Sequence, residues 1–215
     1  MDVTTVIINY QTPDYLEKSV VSFKKFYSNI PLLIIDNGSK DESIKVIDKL
    51  ENKFEHIRSQ RLNKNIFHGP AMDLAARELV DSKYIFFLDS DTETLKGGFL
   101  ENMLNFFMKE NTLYGVGELN FVNKRGFNNG KKDITILQTP FMNLDREKYL
   151  VLKPFIHHGQ PTILNFQEAK EKGFTLEQFP ISDFIYHKWR GTAERYGYGL
   201  GLKGKIDYLL NALGI

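Results

Sequence analysis

The sequence contains no cysteine among its 215 residues. Disulfide bonds, thiolate zinc sites and cysteine nucleophiles are therefore excluded, and this absence fits a reducing compartment. An excess of charge of one sign is also lacking, because 28 Lys and Arg residues face 27 Asp and Glu residues, with a formal net charge of +1. Such a balance gives no basis for binding nucleic acid or an anionic membrane through bulk charge.

Long apolar runs are absent too. No stretch reaches the roughly 18 apolar residues that a membrane-spanning helix requires. The opening "MDVTTVIINY" has neither the basic leader nor the apolar core of a signal peptide. We therefore expect a cytoplasmic protein, which could work at the inner face of a membrane. The mildly amphipathic stretch 201–215 could form a C-terminal helix that contacts such a surface or packs on its own domain.

Glycine-rich phosphate loops are missing where they would be needed. The first predicted strand is followed by "NYQTPDYL", which is not a G-x-G-x-x-G turn, and no G-x-x-x-x-G-K-[ST] occurs in the chain. A dinucleotide dehydrogenase or a P-loop ATPase is therefore not expected. If a nucleotide binds, its phosphates need another partner, such as a metal ion.

The first half of the chain alternates between two hydrophobic periodicities. Four segments predict strands, at residues 3–9, 31–36, 56–60 and 83–89. The first is rich in β-branched residues, and the fourth is apolar nearly throughout. Segments with apolar residues at helical spacing predict helices between them, at residues 13–27, 41–53 and 69–79. Continuous apolar strands joined by helices indicate an α/β fold whose parallel sheet is covered on both faces.

The second half of the chain is less regular. Residues 122–133 are basic and rich in Asn and Gly, which predicts a mobile loop or the tip of a long hairpin. The other predicted elements are a strand at 134–144, a short helix at 166–174 and a strand at 179–189. No repeat or long linker divides the chain, so we expect residues 1–215 to form one domain.

Polar residues follow three of the four predicted strands. They are Asn9-Tyr10, Asp36-Asn37-Gly38 and Asp89-Ser90-Asp91. Because ligands bind at the carboxyl ends of parallel strands, which share one edge of the sheet, we expect these residues to converge. Two carboxylates separated by one residue repel unless a cation lies between them, and Mg²⁺ or Mn²⁺ prefers such oxygen ligands. The alternative is that the aspartates cap the next helix or stay hydrated in a turn.

Four stretches of the sequence resemble family 2 glycosyltransferases, which have the GT-A fold. They are "VIINYQTPDYLEKSVVSF", "LLIIDNGSKDES", "NIFHGPAMDLAARELVDSKYIFFLDSDTE" and "YHKWRGT", in the order and spacing of that family. The resemblance covers residues 3–95 well and the remainder loosely. It implies a Rossmann-like GT-A fold, with a central, mostly parallel sheet flanked by helices. Residues 1–95 would form the nucleotide-binding half, and residues 96–215 a smaller, irregular acceptor-side half.

The resemblance also implies a nucleotide-sugar donor and the residues that bind it. In the family, the ends of the first two strands hold the nucleobase and ribose, and the Asp-x-Asp segment holds the ribose and the metal ion on the diphosphate. The implied donor-binding residues are Ile8, Asn9, Tyr10, Asp36, Gly38, Asn65, Gly69, Asp73, Asp89, Ser90 and Asp91. The implied ligands of Mn²⁺ or Mg²⁺ are Asp89, Asp91 and His187. A histidine packed at a strand end is the alternative for His187.

The reaction of that family is transfer of a sugar with inversion, in which a carboxylate deprotonates the acceptor hydroxyl. The acceptor would be a saccharide, a lipid-linked molecule or a protein. This chain departs from the family pattern, because its stretch "IHHGQPTILNF" lacks the Glu-Asp pair that usually supplies the base. His157, His158 and Asp183 are the candidates for the base.

Three other functions compete with sugar transfer. A protein that binds a nucleotide sugar without turnover would explain the missing acidic pair. A nucleotidyltransferase also needs a metal ion on nucleotide phosphates, but "YQTPDY" after the first strand is neither glycine-rich nor basic. A phosphatase of the haloacid dehalogenase type would carry Asp-x-Asp near the chain start, whereas here it follows the fourth strand, and Glu93 stands where Thr or Val is required.

Overall fold

The computed structural model of the protein describes residues 1–128, 134–156 and 161–188. Strands and helices alternate through the first half, which confirms the predicted α/β class. The elements of this half are β1 (Val3–Asn9), α1 (Pro13–Phe26), β2 (Leu32–Asp36), α2 (Ser43–Lys53), β3 (Ile57–Arg61), α3 (His68–Leu74) and β4 (Tyr84–Asp89). A π-helical turn, Ala75–Leu79, extends α3.

The second half adds five strands and three helices within the described residues. They are β5 (Thr92–Thr94), α4 (Phe99–Phe107), β6 (Leu113–Val122), β7 (Ile134–Asp145), α5 (Arg146–Leu150), α6 (Ile163–Glu171), β8 (Thr175–Gln178) and β9 (Ile185–His187). A 3-10 turn, Ile181–Asp183, precedes β9. No helix among the residues that the structure describes is both long enough and apolar enough to cross a membrane.

Seven strands form one sheet in the order β3-β2-β1-β4-β7-β6-β8. All neighbouring strands are parallel except β7, which runs antiparallel to both β4 and β6, so the sheet is mostly parallel as predicted. The register pairs Asn9 with Asp36 and Ile8 with Asp89. The carboxyl ends of β1, β2 and β4 therefore lie side by side at one edge.

Two apolar layers cover the sheet, one on each face. One layer groups side chains of α1, α2 and α4 with Phe86 of β4, and the other groups side chains of α3 and α6 with the next residue, Phe87. Burying a large apolar side chain contributes about 1.5–3 kcal/mol, so the alternation of β4 between the two layers fixes its register. The same register determines where its terminal aspartates emerge.

Two predicted elements differ from the structure. The predicted helix over 69–79 is α-helical only to Leu74 and continues as the π-helical turn. Of the predicted strand over 179–189, the described residues 179–188 form a strand only at Ile185–His187, because a 3-10 turn follows Pro180.

The Asn- and Gly-rich stretch 122–133 joins β6 to β7. Val122 at the end of β6 pairs with Ile134 at the start of β7, so the prediction of a long hairpin tip is confirmed. Residues 129–133 and the predicted C-terminal helix at 201–215 lie outside the described residues.

Candidate functional site

Buried hydrogen bonds fix the polar side chains at the ends of β1 and β2. Nδ2 of Asn9 donates to Oδ1 of Asp36 at 2.9 Å, and the backbone amide of Ser39 donates to the other oxygen of the carboxylate at 2.9 Å. The hydroxyl of Thr12 donates to Oδ1 of Asn9 at 3.0 Å and lies 3.3 Å from the hydroxyl of Ser90. This network ties β1, β2 and β4 together, as the predicted convergence requires.

The backbone around these side chains leaves little freedom. Ile8 is part of the apolar core, so its backbone rather than its side chain is available at the edge, whereas Tyr10 just beyond β1 is half-buried. Gly38 has φ +80°, and a Cβ atom there would lie 2.5 Å from the carbonyl carbon of Lys64. Only glycine allows the chain after β2 to pass this close to the loop after β3.

Two asparagines hold that loop, and we call them the Asn37–Asn65 clamp. Nδ2 of Asn37 donates to Oδ1 of Asn65 at 3.1 Å and to the carbonyl of Phe67 at 3.3 Å. Oδ1 of Asn37 accepts from the backbone amide of Ile66 at 2.9 Å, and Oδ1 of Asn65 accepts from the amide of Phe67 at 2.7 Å. Asn37 is only 2% exposed. The clamp therefore joins the end of β2 to the residues that lead into α3.

Asp89, Asp91 and His187 form a cluster at the end of β4. Nε2 of His187 lies 3.1 Å from Oδ1 of Asp91 and 3.9 Å from Oδ2 of Asp89. One potential ligand atom from each of the three residues can be chosen so that all lie within 4.8 Å of one another. The side chains of Asp91 and His187 are 8% and 7% exposed, whereas Asp89 is 24% exposed. The cluster is therefore enclosed on the histidine side and open beside Asp89.

The short strand β9 delivers His187 to this cluster. β9 pairs antiparallel with β5, which places His187 opposite Thr92, and the amide of Lys188 donates to the carbonyl of Asp91 at 3.0 Å. The imidazole also packs edge-on against Phe141 of β7, with 6.0 Å between the ring centroids. The family resemblance alone predicted that His187 lies near the two aspartates, and in the structure it does.

The pKa values of the cluster reflect its burial and its charges. The pKa of Asp89 is raised above its ordinary value, and burial is the largest cause. The charge of His68 lowers this pKa, that of Asp91 raises it further, and that of His187 lowers it. Burial lowers the pKa of His187, but the hydrogen bond to Asp91 and the charges of both aspartates outweigh it, so this pKa is raised. Two carboxylates this close are stabilised by a nearby positive charge, which either the protonated imidazole of His187 or a bound cation could supply.

His68 also lies at this edge, although no sequence pattern indicated it. It begins α3, and its Nε2 lies 3.6 Å from Oδ1 of Asp89. Asp89 therefore has His68 near one oxygen and His187 near the other. The sequence feature that could have indicated His68 is its position directly before Gly69, at the start of α3.

The other expected site residues lie in different surroundings. Gly69 is buried in α3. Asp73 pairs with Nε of Arg77 at 2.8 Å and accepts a hydrogen bond from the hydroxyl of Tyr149, so it links α3 to α5. Its role in donor binding stays a prediction.

Of the three candidate bases, Asp183 is exposed in the 3-10 turn before β9. Glu118 supports this turn by accepting a hydrogen bond from the amide of Ser182 at 3.1 Å. His157 and His158 lie outside the described residues. In the described helix α6, the first turn carries no acidic residue.

A mostly parallel sheet with paired aspartates after its fourth strand defines an α/β domain of the GT-A class. Residues 4–168 match the family model of Glycosyl transferase family 2, and the chain belongs to this family. A curated relative is an uncharacterized glycosyltransferase from Haemophilus influenzae, which is 27% identical over 173 residues. That match covers 78% of this chain and 66% of the relative.

Two solved structures share the fold. The mannosyltransferase PcManGT from Pyrobaculum calidifontis, in complex with GDP-Man and Mn²⁺, matches with a TM-score of 0.64 and 13% identity over 83% of this chain and 55% of its own. Residues 1–349 of S. aureus TarS, in complex with UDP-GlcNAc, match with a TM-score of 0.60 and 15% identity over 86% and 58%. The chain thus spans less than two thirds of each of these three proteins. At such identities the two structures support the fold alone.

Proposed function

We propose that this chain transfers a sugar, with inversion, from a nucleotide-sugar donor to the hydroxyl of a saccharide, lipid-linked or protein acceptor. The observation that carries the proposal is the convergence of two sets of residues at one sheet edge. One is the Asn9–Asp36 pair, and the other is the cluster of Asp89, Asp91 and His187. Membership of Glycosyl transferase family 2 gives sugar transfer as the general reaction.

The cluster has the donor set for a divalent cation. Carboxylate oxygens suit Mn²⁺ and Mg²⁺, and an imidazole nitrogen favours Mn²⁺ of the two. The separation of up to 4.8 Å between ligand atoms is close to twice a metal–ligand distance of about 2.1 Å, so small side-chain movements would let all three residues bind one ion. When bound, such an ion would neutralise the negative charge of the departing diphosphate.

Different residues of the chain are assigned to different parts of the donor. Asp36 is held rigid by Asn9 and Ser39, and we assign it and the end of β1 to the nucleobase and ribose. The cluster after β4 is assigned to the diphosphate, and His68 stands beside Asp89 on the same edge. The donors in the two structural neighbours carry different bases, guanine in GDP-Man and uracil in UDP-GlcNAc. We therefore propose a nucleotide sugar without specifying its base.

Binding of a nucleotide sugar without turnover is the competing proposal, because α6 has no acidic residue in its first turn. The two proposals agree on donor binding and differ only in whether the nucleotide is released from its sugar. For turnover, Asp183, His157 and His158 stay the candidate bases.

Thermal unfolding tests the donor site first. UDP, GDP and their sugar conjugates are titrated with and without Mn²⁺. A ligand at 100 times its Kd stabilises the native state by about 2.7 kcal/mol, which corresponds to roughly 5–10 °C for a chain of this size. We expect a shift of this order that needs both the metal and one nucleotide. Asp91→Asn should abolish it, whereas Asp81→Asn, which changes an exposed aspartate before β4, should not.

Release of nucleoside diphosphate from the stabilising nucleotide sugar then separates transfer from binding alone. If no nucleotide shifts the melting temperature in the presence of Mn²⁺ or Mg²⁺, the assignment of the donor site is wrong. If Asp91→Asn responds as the parent does, the assignment of the cluster as a metal site is wrong.

A further inference from the structure

Phe67 has a backbone conformation that residues other than glycine rarely adopt. Its φ of +71° and ψ of 167° place it in a region that is essentially restricted to glycine. Such a conformation persists in a folded protein only where the surrounding structure imposes it.

The Asn37–Asn65 clamp imposes this conformation from both sides of the residue. The amide of Phe67 donates to Oδ1 of Asn65 at 2.7 Å, and its carbonyl accepts from Nδ2 of Asn37 at 3.3 Å. Both polar groups of the Phe67 backbone are thus used, one by an asparagine that is itself buried. The strain is therefore a fixed feature of this edge.

The strained residue presents an aromatic ring to solvent. Phe67 is 56% exposed, and it is among the most exposed large apolar residues in the described part of the chain. If the ring only anchored the start of α3, it would be expected to pack in the core. An exposed ring on a rigid, strained support indicates a surface prepared for a ligand.

The position of Phe67 indicates which part of a ligand it would meet. Its backbone is bonded to Asn37 at the end of β2, and the next residue, His68, lies 3.6 Å from Asp89 at the end of β4. The two residues therefore bridge the ends of β2 and β4, past the end of β1, which lies between these strands. Phe67 is on the side of Asp36, and His68 is on the side of the aspartate cluster.

We propose that Phe67 is the aromatic platform on which the nucleobase of the donor stacks. This inference rests on the proposed function. If the cluster after β4 holds the diphosphate, the base extends from it towards the end of β2, where Asn37 holds the backbone of Phe67. Every nucleobase has an aromatic face, so the ring contributes affinity for the base without selecting one base over another.

Dissociation constants of three probes with Mn²⁺ test this inference. The probes are the nucleoside diphosphate that stabilises the parent, its sugar conjugate and inorganic pyrophosphate. Loss of one stacking contact weakens nucleotide binding by about 5- to 150-fold. We expect this loss for Phe67→Gly with both the nucleoside diphosphate and its sugar conjugate, and unchanged affinity for pyrophosphate. Phe67→Tyr, which keeps the ring, should retain most of the nucleotide affinity.

The melting temperature of Phe67→Gly distinguishes ligand binding from a structural role. If the ring stabilised the fold, its removal would lower the melting temperature. Glycine adopts the backbone conformation of Phe67 without strain, so Phe67→Gly should melt at the same temperature as the parent or higher. Phe26→Ala removes another exposed ring at the far end of α1 and should leave binding of all three probes unchanged.

Several outcomes would overturn the inference while the proposed function stands. They are unchanged nucleotide affinity in Phe67→Gly, an equal loss for pyrophosphate, or a loss confined to the sugar conjugate, which would place the sugar on the ring. A parent protein that binds no nucleotide with either metal overturns the proposed function and this inference together.

Discussion

Asn37→Asp tests the clamp that organises this edge. The substitution keeps the size of the side chain and its acceptor for the amide of Ile66, but it replaces the donating nitrogen by an oxygen. That oxygen would face Oδ1 of Asn65 at 3.1 Å and the carbonyl of Phe67 at 3.3 Å. Two hydrogen bonds, each contributing about 1 kcal/mol, are lost, and a buried carboxylate is left facing two acceptors. We expect a loss of about 2–4 kcal/mol in the free energy of unfolding at pH 7.

The loss should depend on pH in a defined direction. Burial and the neighbouring acceptors raise the pKa of the introduced carboxyl above its value of about 3.9 in the unfolded chain. The unfolded chain therefore binds fewer protons than the folded one between these two pKa values, and the stability of the variant falls as pH rises through them. Below pH 4 the protonated acid can donate one hydrogen bond, so part of the loss disappears.

Urea unfolding at pH 7 and pH 4 measures both effects. With a slope of about 2–3 kcal/mol per molar urea, the expected loss lowers the midpoint by roughly 1 M. Hydrogen exchange of the Phe67 amide reports local opening if the loop unfolds separately. Asn63→Asp, at an exposed position of the same loop, is the matched control. A variant within 0.5 kcal/mol of the parent, with unchanged exchange at Phe67, would refute the role given to the clamp.

Three further predictions concern other positions. Gly38→Ala places a Cβ atom 2.5 Å from the backbone of Lys64 at a positive φ, so we expect urea unfolding to show a loss of about 2–4 kcal/mol; an unchanged midpoint would contradict the close approach. Burial lowers the pKa of Lys24 to about 8, so between pH 8 and 10.5 the unfolded chain binds more protons and the parent should gain stability relative to Lys24→Met as pH rises. A difference that stays constant from pH 7.5 to 10 would exclude this shift. If Asp183 is the base, Asp183→Asn should lower the rate of sugar transfer at least about 100-fold with donor affinity unchanged. Near-parental rates would leave the two histidines as the candidates.

The first half of the fold could be predicted because three of its four strands, β1, β2 and β4, are mostly apolar and buried. Residues of β1 and β4 have the β-branched and aromatic composition of buried strands, and the polar residues after them are then placed by the topology of a parallel sheet. Asp36, Asp89 and Asp91 converge for this reason. The two short strands β5 and β9, with three residues each, are below the length at which a periodicity can be recognised.

The long-range contacts of the site could not be predicted from any local pattern. Asn37 and Asn65 are 28 positions apart, and neither lies in a periodic segment that would reveal the clamp. The histidine beside Asp89 is missed for the same reason, since a single His at the start of a helix is common. Only the family resemblance predicts that His187 lies near the aspartates, because the spacing of residues carries no information about a partner 96 positions away in the chain.

The delivery of His187 by β9 has a consequence for the order in which the protein can be assembled. His187 is 96 positions after Asp91, and the strand that carries it pairs with β5 directly after the aspartates. During synthesis from the N-terminus, the paired carboxylates and the first four strands are complete long before their histidine emerges from the ribosome. A chain that stops before Ile185 would retain the Asn9–Asp36 pair while lacking the third member of the cluster. If the cluster binds a cation as proposed, nascent chains should therefore acquire their full affinity for it only at a late step, when β9 pairs with β5.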